Sequence, residues 1–322
     1  MKRRLPWLFI KILLTAAALA WFFSAVPLPS LLDRLTGIRW RAVVSAFFVN
    51  SAWVVPCAFR WKGIARLCGY RLRLMDSVRY YIIGSFFNAF LPTGNGGDVV
   101  RGFRASREYG YSLGGMWGTI LVERVLGLMV SLFLVVATGF ILLSKTAMPR
   151  DVLVSAAALF AGMTAAGGFM LSREFRRLVR PVVQRIPLRP LREGARDAAR
   201  VMEACRRNPR AMVSAVLWTL ANQCIPVVSG FVLSFAIPDF KAPFAVFLLV
   251  VPLGFISMLL PSIGGYGVRE AGTVLFFGWF GVGREPSAVF GIVRLLFLWI
   301  FSLIGGVLYI ASRRDNGKTD WA

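Results

Sequence analysis

Seven ionisable side chains interrupt otherwise apolar stretches of this sequence. A charge in hydrocarbon is costly unless it faces a paired or hydrated interior, so such residues mark candidate sites for binding or moving a polar solute. Four of the seven lie in two glycine-rich segments that resemble each other, LPTGNGGDVVR (91–101) and LPSIGGYGVRE (260–270). The seven residues are Asp98, Arg101, Glu123, Arg124, Arg269, Glu270 and Arg294.

The spacing of glycines and arginines in these segments suits an anionic ligand. A helix that starts just after glycines presents unpaired N–H groups and the positive end of its dipole. An arginine one turn inside that helix adds a forked donor for phosphate. We therefore predict that Arg101, Arg124, Arg269 and Arg294 bind a phosphate-containing substrate.

The acidic residues are expected to be charge partners or ion-coupling groups. Asp98 either caps the helix after the first break or neutralises Arg101 or Arg269 when substrate is absent. Glu270 stands beside Arg269. Adjacent positions on a helix point about 100° apart, so Glu123 and its neighbour Arg124 should have different partners. We expect Glu123 to pair with an arginine of the second segment or with Arg294, although Arg124 and Arg294 could instead extend to the membrane surface.

Composition predicts an all-α, polytopic membrane protein. Apolar residues make up 57% of the chain and charged residues only 16%, and several apolar runs are longer than a buried helix of a soluble protein requires. Six full spans are predicted, at 8–26, 41–59, 119–143, 152–171, 211–236 and 287–311.

Two further hydrophobic segments, 78–101 and 243–281, are predicted to be broken helical hairpins. Helices do not continue through proline and clustered glycines without exposing backbone groups, so each segment should turn inside the membrane. Because three full spans separate them, the hairpins should insert from opposite faces as an inverted repeat, with both breaks near the midplane. A chance match between two glycine-rich helix crossings is the alternative. The helix-breaking residues are Pro92, Gly96, Gly97, Pro261, Gly264, Gly265 and Gly267.

The net charge of +23 follows membrane topology rather than nucleic-acid binding. Most of it falls in segments on one side of the predicted spans, which places both termini in the cytoplasm. The segment 172–210 alone holds twelve arginines and four acidic residues. It is predicted to be a basic, amphipathic connection between the repeat halves, with an arginine stripe at 192, 196 and 200 beside Ala195, Ala199 and Met202. Such a segment either sets orientation only or collects anionic headgroups.

Several kinds of chemistry are disfavoured by residues that the sequence lacks. It contains no histidine, which excludes imidazole metal sites and Ser-His-Asp hydrolysis. Cys57, Cys68, Cys205 and Cys224 have no CxxC spacing, so no disulfide framework, metal site or cofactor is predicted. No GxxxxGK[ST] loop for ATP is present.

Taken together, these motifs resemble the flippase-like transmembrane region of lysylphosphatidylglycerol synthases. The resemblance rests on an LP break followed by GGDVVR, on an ER pair some twenty residues later, and on PSxGGxGxRE near the end. It implies a single transmembrane domain, residues 1–322, in a bacterial or archaeal cytoplasmic membrane, without the aminoacyltransferase half. The motif positions matched are Asn88, Pro92, Gly97, Asp98, Arg101, Glu123, Arg124, Arg269 and Glu270. By this resemblance Asn88 joins the residues expected to bind substrate. Gly127 stands where relatives often carry an acid, which weakens any coupling role borrowed from that position.

The function expected from the residues and the resemblance is lipid translocation through an arginine-lined cavity at the midplane. The partners would be membrane lipids, either anionic phospholipid or polyprenyl lipid, and a separate lipid-synthesising enzyme. Movement would follow the lipid gradient or couple to ions through the acidic residues. Two alternatives remain: a membrane-embedded transferase or phosphoesterase that uses Asp98 or Glu270 as base, and a scaffold that recruits such an enzyme through 172–210.

Overall fold

The all-helical membrane fold predicted from the sequence is confirmed. A computed structural model of the protein describes residues 5–91, 96–142, 149–171, 177, 189–257, 260, 262 and 264–315. The helices are α1 (Leu5–Ala25), α2 (Leu28–Thr36), α3 (Trp40–Ser51), α4 (Val54–Leu67), α5 (Leu74–Phe90), α6 (Gly96–Tyr109), α7 (Leu113–Leu142), α8 (Arg150–Leu171), α9 (Arg189–Arg207), α10 (Pro209–Ser234), α11 (Phe244–Ser257), α12 (Val268–Gly278) and α13 (Arg284–Asp315).

All six predicted spans have counterparts among the described helices. Five helical stretches are long and apolar enough to cross a bilayer, and the apolar part of α1 forms a sixth if it is counted with α2, to which it is bent by 70°. The five are Trp40–Leu67, Leu113–Leu142, Arg150–Phe169, Pro209–Ser234 and Arg284–Ser312.

The helix of the second span extends beyond the predicted span end at residue 59, because α4 continues to Leu67. Its last turns bury Trp61, Ile64 and Ala65, whereas Lys62 is only partly buried and Arg66 is exposed. The mean hydropathy of the sequence falls after residue 59, but the helix continues because one of its faces is packed against the rest of the protein. One consequence is that Arg60, assigned to a cytoplasmic segment from the sequence, is buried.

The chain divides into two compact units, each built from three separate stretches. The hairpin-1 unit comprises Val54–Glu123, Arg176–Trp218 and Leu296–Ala322. The hairpin-2 unit comprises Met1–Trp53, Arg124–Phe175 and Thr219–Leu295. The single domain predicted from the sequence thus contains two units, and each of them holds one of the two glycine-rich segments.

Both predicted hairpins are interrupted helices. In the first, α5 ends at Phe90 and α6 begins at Gly96; in the second, α11 ends at Ser257 and α12 begins at Val268. The predicted helix-breaking prolines, Pro92 and Pro261, lie outside the described residues. That these hairpins turn back within the bilayer, as an inverted repeat, stays a prediction.

Gly97 allows α6 to pack directly on the backbone of α5. A Cβ atom at this position would lie 2.0 Å from the carbonyl oxygen of Gly84 and 2.8 Å from Cγ of Asn88. Neither is a flexible side-chain end that could move away, since one is backbone and the other is held by a hydrogen bond to Gly97 N. The glycine is therefore required by close approach of the two helices.

Replacing Gly97 with alanine is expected to lower the free energy of unfolding by about 3 kcal/mol, because overpacking against backbone cannot relax locally. The measurement is thermal unfolding of the purified protein in detergent. Gly63→Ala is the matched control, since a Cβ there would meet nothing within 4 Å. Equal melting temperatures for the two variants would contradict the packing argument.

A cluster of phenylalanines fixes the second hairpin inside its unit. Phe247 of α11, Phe277 of α12 and Phe290 of α13 are almost fully buried, and their ring centroids lie 5.1–6.0 Å apart. Such aromatic pairs stabilise beyond the apolar area that they bury. The turn before α12 uses positive φ at Gly264 (61°), Gly265 (79°) and Gly267 (75°), a region that residues with a Cβ rarely adopt. These contacts hold the start of α12 in place.

The basic helix α9 packs against its own unit. A Cβ on Gly114 of α7 would lie 2.4 Å from Cα of Gly194, so the two backbones touch. Val201 and Cys205 are buried, whereas Ala199, expected to flank the arginine stripe, is exposed. From Arg176 onward this segment belongs to the hairpin-1 unit. Its contact with a lipid surface stays a prediction.

Candidate functional site

A buried ion-pair cluster occupies the hairpin-1 unit, centred on Glu123 of α7. Its Oε1 accepts hydrogen bonds from Nε of Arg60 at 3.0 Å and from the hydroxyl of Tyr81 at 2.7 Å. Its Oε2 lies 2.9 Å from Nη2 of Arg101. Arg60, Arg101 and Glu123 are only 7%, 3% and 2% exposed. The pairing expected for Glu123 is therefore corrected: the carboxylate engages Arg60 and Arg101, because α4, α6 and α7 pack together.

The guanidinium of Arg101 lies between two aromatic rings. Its Cζ is 4.5 Å from the ring centroid of Trp61 and 4.2 Å from that of Tyr81. The indole of Trp61 is fixed in turn, because its Nε1 donates to Oγ1 of Thr119 at 3.0 Å. Desolvated cation–π contacts are worth about 2 kcal/mol each. The aromatic pair thus holds a planar cation in position without neutralising its charge.

Asp98 completes a cluster whose formal charges balance. Its Oδ1 lies 3.2 Å from Nη2 of Arg101, one turn along α6, and its side chain is 13% exposed. Arg60 and Arg101 supply two positive charges, and Asp98 and Glu123 supply two negative ones. Such balance is what a buried ion group needs, since breaking one pair leaves an uncompensated charge. The structure contains the pair between Asp98 and Arg101, whereas a role for Asp98 as a helix cap stays a prediction.

Arg101 keeps hydrogen-bonding capacity that the described residues do not use. Its Nε and Nη1 are buried and have no hydrogen-bond acceptor in the described part of the chain. Buried donors without acceptors are rare in folded proteins and are strong candidates for ligand contact. Phosphate oxygens are well-matched acceptors for guanidinium N–H groups. Of the predicted binding residues, Arg101 is therefore the best supported.

Three members of this cluster were missed from the sequence: Arg60, Trp61 and Tyr81. A signal was available for the first two, because Cys57, Arg60 and Ile64 repeat with helical spacing and all face the core. Sequence reasoning instead ended the membrane span at residue 59 and assigned Arg60 to a cytoplasmic segment.

In the hairpin-2 unit, Arg269 and Glu270 form a separate ion pair at the start of α12. Nη2 and Nε of Arg269 donate to Oε1 of Glu270 at 2.7 and 3.0 Å. The other carboxylate oxygen, Oε2, accepts from the backbone N–H of Gly267 at 2.8 Å. Glu270 is therefore a helix cap as well as a charge partner.

Arg294 of α13 adds a second positive charge near Arg269. Its Cζ lies 5.7 Å from the ring centroid of Phe290, and its charge is close enough to that of Arg269 for the two to repel. Within the described residues no ion pair of Arg294 is present. With Glu270 as the single acid of this group, the three side chains carry a net positive charge, which favours an anion.

Two of the predicted binding residues, Asn88 and Arg124, lie outside both of these ion-paired groups. Asn88 of α5 uses its side-chain oxygen to accept the backbone N–H of Gly97 at 2.8 Å, so it caps the start of α6. That bond engages one of the N–H groups expected to hold an anion. Arg124 is exposed on α7, while the adjacent Glu123 is buried, as the angle between neighbouring helix positions predicts.

Comparison of the sequence with known protein families gives one match. A family model described as the lysylphosphatidylglycerol synthase TM region matches residues 8–306. No curated protein matches the chain. The match covers both hairpins and all the ionisable residues described above.

Proposed function

We propose a function from the premise that this chain belongs to the lysylphosphatidylglycerol synthase transmembrane-region family. Membership connects the protein with membrane lipids. In our proposal the protein is a lipid translocase, moving a lipid with an anionic or zwitterionic, phosphate-containing headgroup from one leaflet to the other. The observation that carries it is Arg101, a buried cation stacked between aromatic rings with two nitrogens lacking acceptors in the described residues.

The ion pairs of Arg101 explain how this buried cation can be stable when no substrate is bound. Without lipid, Glu123 and Asp98 balance Arg60 and Arg101, so no bare charge is exposed to hydrocarbon. A phosphate brought to Nε and Nη1 of Arg101 would use donors that are already desolvated. In this proposal the phosphate displaces Asp98, because Asp98 is the most exposed member of the cluster. Its contact with Arg101, at 3.2 Å, is also longer than that of Glu123, at 2.9 Å.

The hairpin-2 unit supplies a complementary feature. Arg269, Arg294 and Glu270 together carry a net positive charge there. A phosphate could therefore neutralise the excess charge without displacing Glu270 from Arg269. In the proposal, arginines of both hairpins contact the headgroup during transit while the acyl chains stay in lipid. A chamber common to both hairpins stays a prediction from the sequence.

Catalysis is not part of the proposal. The two carboxylates considered as bases, Asp98 and Glu270, are ion-paired with arginine, so each would first have to leave its partner. Outside the spans, burial raises the pKa of the Cys68 thiol to about 12 and that of Cys205 to about 11, which makes both poor nucleophiles at neutral pH.

The test is lipid movement in liposomes that contain the purified protein. Fluorescent phosphatidylglycerol is placed in both leaflets, and a membrane-impermeant quencher is added outside. Transport predicts that nearly all fluorescence is lost with protein and about half without it, because label from the inner leaflet becomes accessible. Chromatography of the same lipid should show unchanged mass. Altered lipid without leaflet exchange would instead establish an enzyme and reject the proposal.

A further inference from the structure

A cleft in the hairpin-1 unit lies between α4 and the start of α10. Its volume is about 430 Å³, within the size range of small-molecule sites. Two arginines line it, Arg60 and Arg66, and none of the described residues that line it is acidic. Phe59 and Trp218 stack in its wall, with ring centroids 4.7 Å apart and planes inclined by 8°. The cleft therefore combines positive charge with an apolar aromatic surface.

The start of α10 adds a further positive contribution. Asn208 lines the cleft and occupies the position before Pro209, the first residue of α10. The backbone carbonyl of Asn208 accepts the N–H of Met212 at 3.2 Å, as at a regular helix start. First-turn N–H groups of a helix have no intrahelical partner, and the helix dipole favours an anion there. Ser214, one turn further along, also lines the cleft.

Arg60 joins this cleft to the ion-pair cluster. It lines the cleft, and its Nε donates to Glu123, whose other oxygen lies 2.9 Å from Arg101. An anion in the cleft would attract Arg60 and weaken its pair with Glu123, the carboxylate that also pairs with Arg101. Binding in the cleft is thus coupled, through one side chain, to the residue that we propose to bind lipid phosphate.

We propose that this α4–α10 cleft is a second phosphate site, where the headgroup of a phospholipid docks before it reaches Arg101. Arg66, Arg60 and the start of α10 contact the phosphate, and the Phe59–Trp218 pair contacts the glycerol and upper acyl region. The position agrees with a lipid drawn from the leaflet that the charge asymmetry assigns to the cytoplasm. The docking role rests on the proposed translocase function, whereas phosphate binding in the cleft does not.

The test is photo-crosslinking of the full-length protein in detergent with phosphatidylglycerol that carries a photoreactive headgroup. Crosslinks are mapped by peptide mass to residues 59–67 and 208–218. Arg66→Gln should lower the apparent affinity at these peptides about tenfold, since a charge-assisted contact is lost. Arg66 is exposed and no ion pair of it is present in the described residues, so this variant should fold.

Two further variants make the test specific. Gly63→Phe should also abolish the crosslink, because Gly63 lines the cleft and a side chain there meets open space. Lys62→Gln, on the same helix but outside the lining, should not change it. Equal labelling of the cleft peptides in all four proteins would overturn the proposal. Displacement of the lipid by inorganic phosphate at equal concentration would overturn the assignment to a lipid headgroup.

Transport measured on the same preparations separates this inference from the proposed function. Lipid captured in the cleft by a protein that shows no leaflet exchange would support the cleft and reject translocation. Exchange that persists with no crosslink in the cleft would support translocation and reject the cleft.

Discussion

Glu123→Gln is expected to destabilise the protein by about 3–5 kcal/mol, the range measured when one partner of a buried ion group is removed. The amide keeps the shape of the side chain but leaves Arg60 and Arg101 with Asp98 as the one acid of the cluster. One positive charge would then be uncompensated between two guanidinium groups that are almost fully buried. Thermal unfolding in detergent, followed by tryptophan fluorescence, measures the effect.

The same chemical change at an exposed ion pair provides the control. Glu285 pairs with Arg34 in the hairpin-2 unit, where both side chains are about one-third exposed. Because solvent screens such pairs, Glu285→Gln should cost less than about 1 kcal/mol. If Glu123→Gln and Glu285→Gln lowered stability equally, burial of the cluster would not govern its energetics.

Arg101→Gln is expected to slow leaflet exchange by at least about 30-fold, because loss of a buried charged contact typically costs 2 kcal/mol or more. Arg101→Lys should give an intermediate rate. Lysine retains the charge but lacks the planar group that stacks between Trp61 and Tyr81. Initial rates of fluorescence loss in liposomes, at equal protein density, provide the measurement.

A control for this prediction lies on the same helix. Arg107 of α6 is exposed, and Arg107→Gln should leave the rate within about twofold of wild type, as expected for a surface substitution. Thermal unfolding of each variant separates loss of binding from loss of fold. A folded Arg101→Gln protein with wild-type exchange would remove Arg101 from the mechanism.

Much of the architecture could be predicted because the apolar interior of a membrane restricts the length and composition of the segments that cross it. The length of the apolar runs predicted the six spans, and the glycine clusters predicted the end of α5, the start of α6 and the start of α12. A pair between Asp98 and Arg101, one of the alternatives that the sequence left open, is present in the structure. These features depend on local sequence, so local reasoning recovers them.

The partners of Glu123 could not be predicted in this way. They come from α4, α5 and α6, and the choice among distant helices depends on how side chains interlock rather than on any single periodicity. Arg60 was not predicted as a member of the cluster for a related reason. A span predicted from hydropathy ends where charged residues begin, whereas α4 continues for two more turns because it is packed in the protein. The role of Asn88 as a cap likewise requires knowing that α5 touches the start of α6.

The most direct test of phosphate recognition compares two lipids in liposomes with wild-type protein. One is fluorescent phosphatidylglycerol, and the other is a glycolipid with the same acyl chains and label but a neutral sugar headgroup. Arginine-based recognition predicts that the phosphate lipid exchanges between leaflets at least about tenfold faster, the factor that corresponds to loss of one charged contact. Equal rates for the two lipids, both above the protein-free rate, would contradict the central role of the buried arginines.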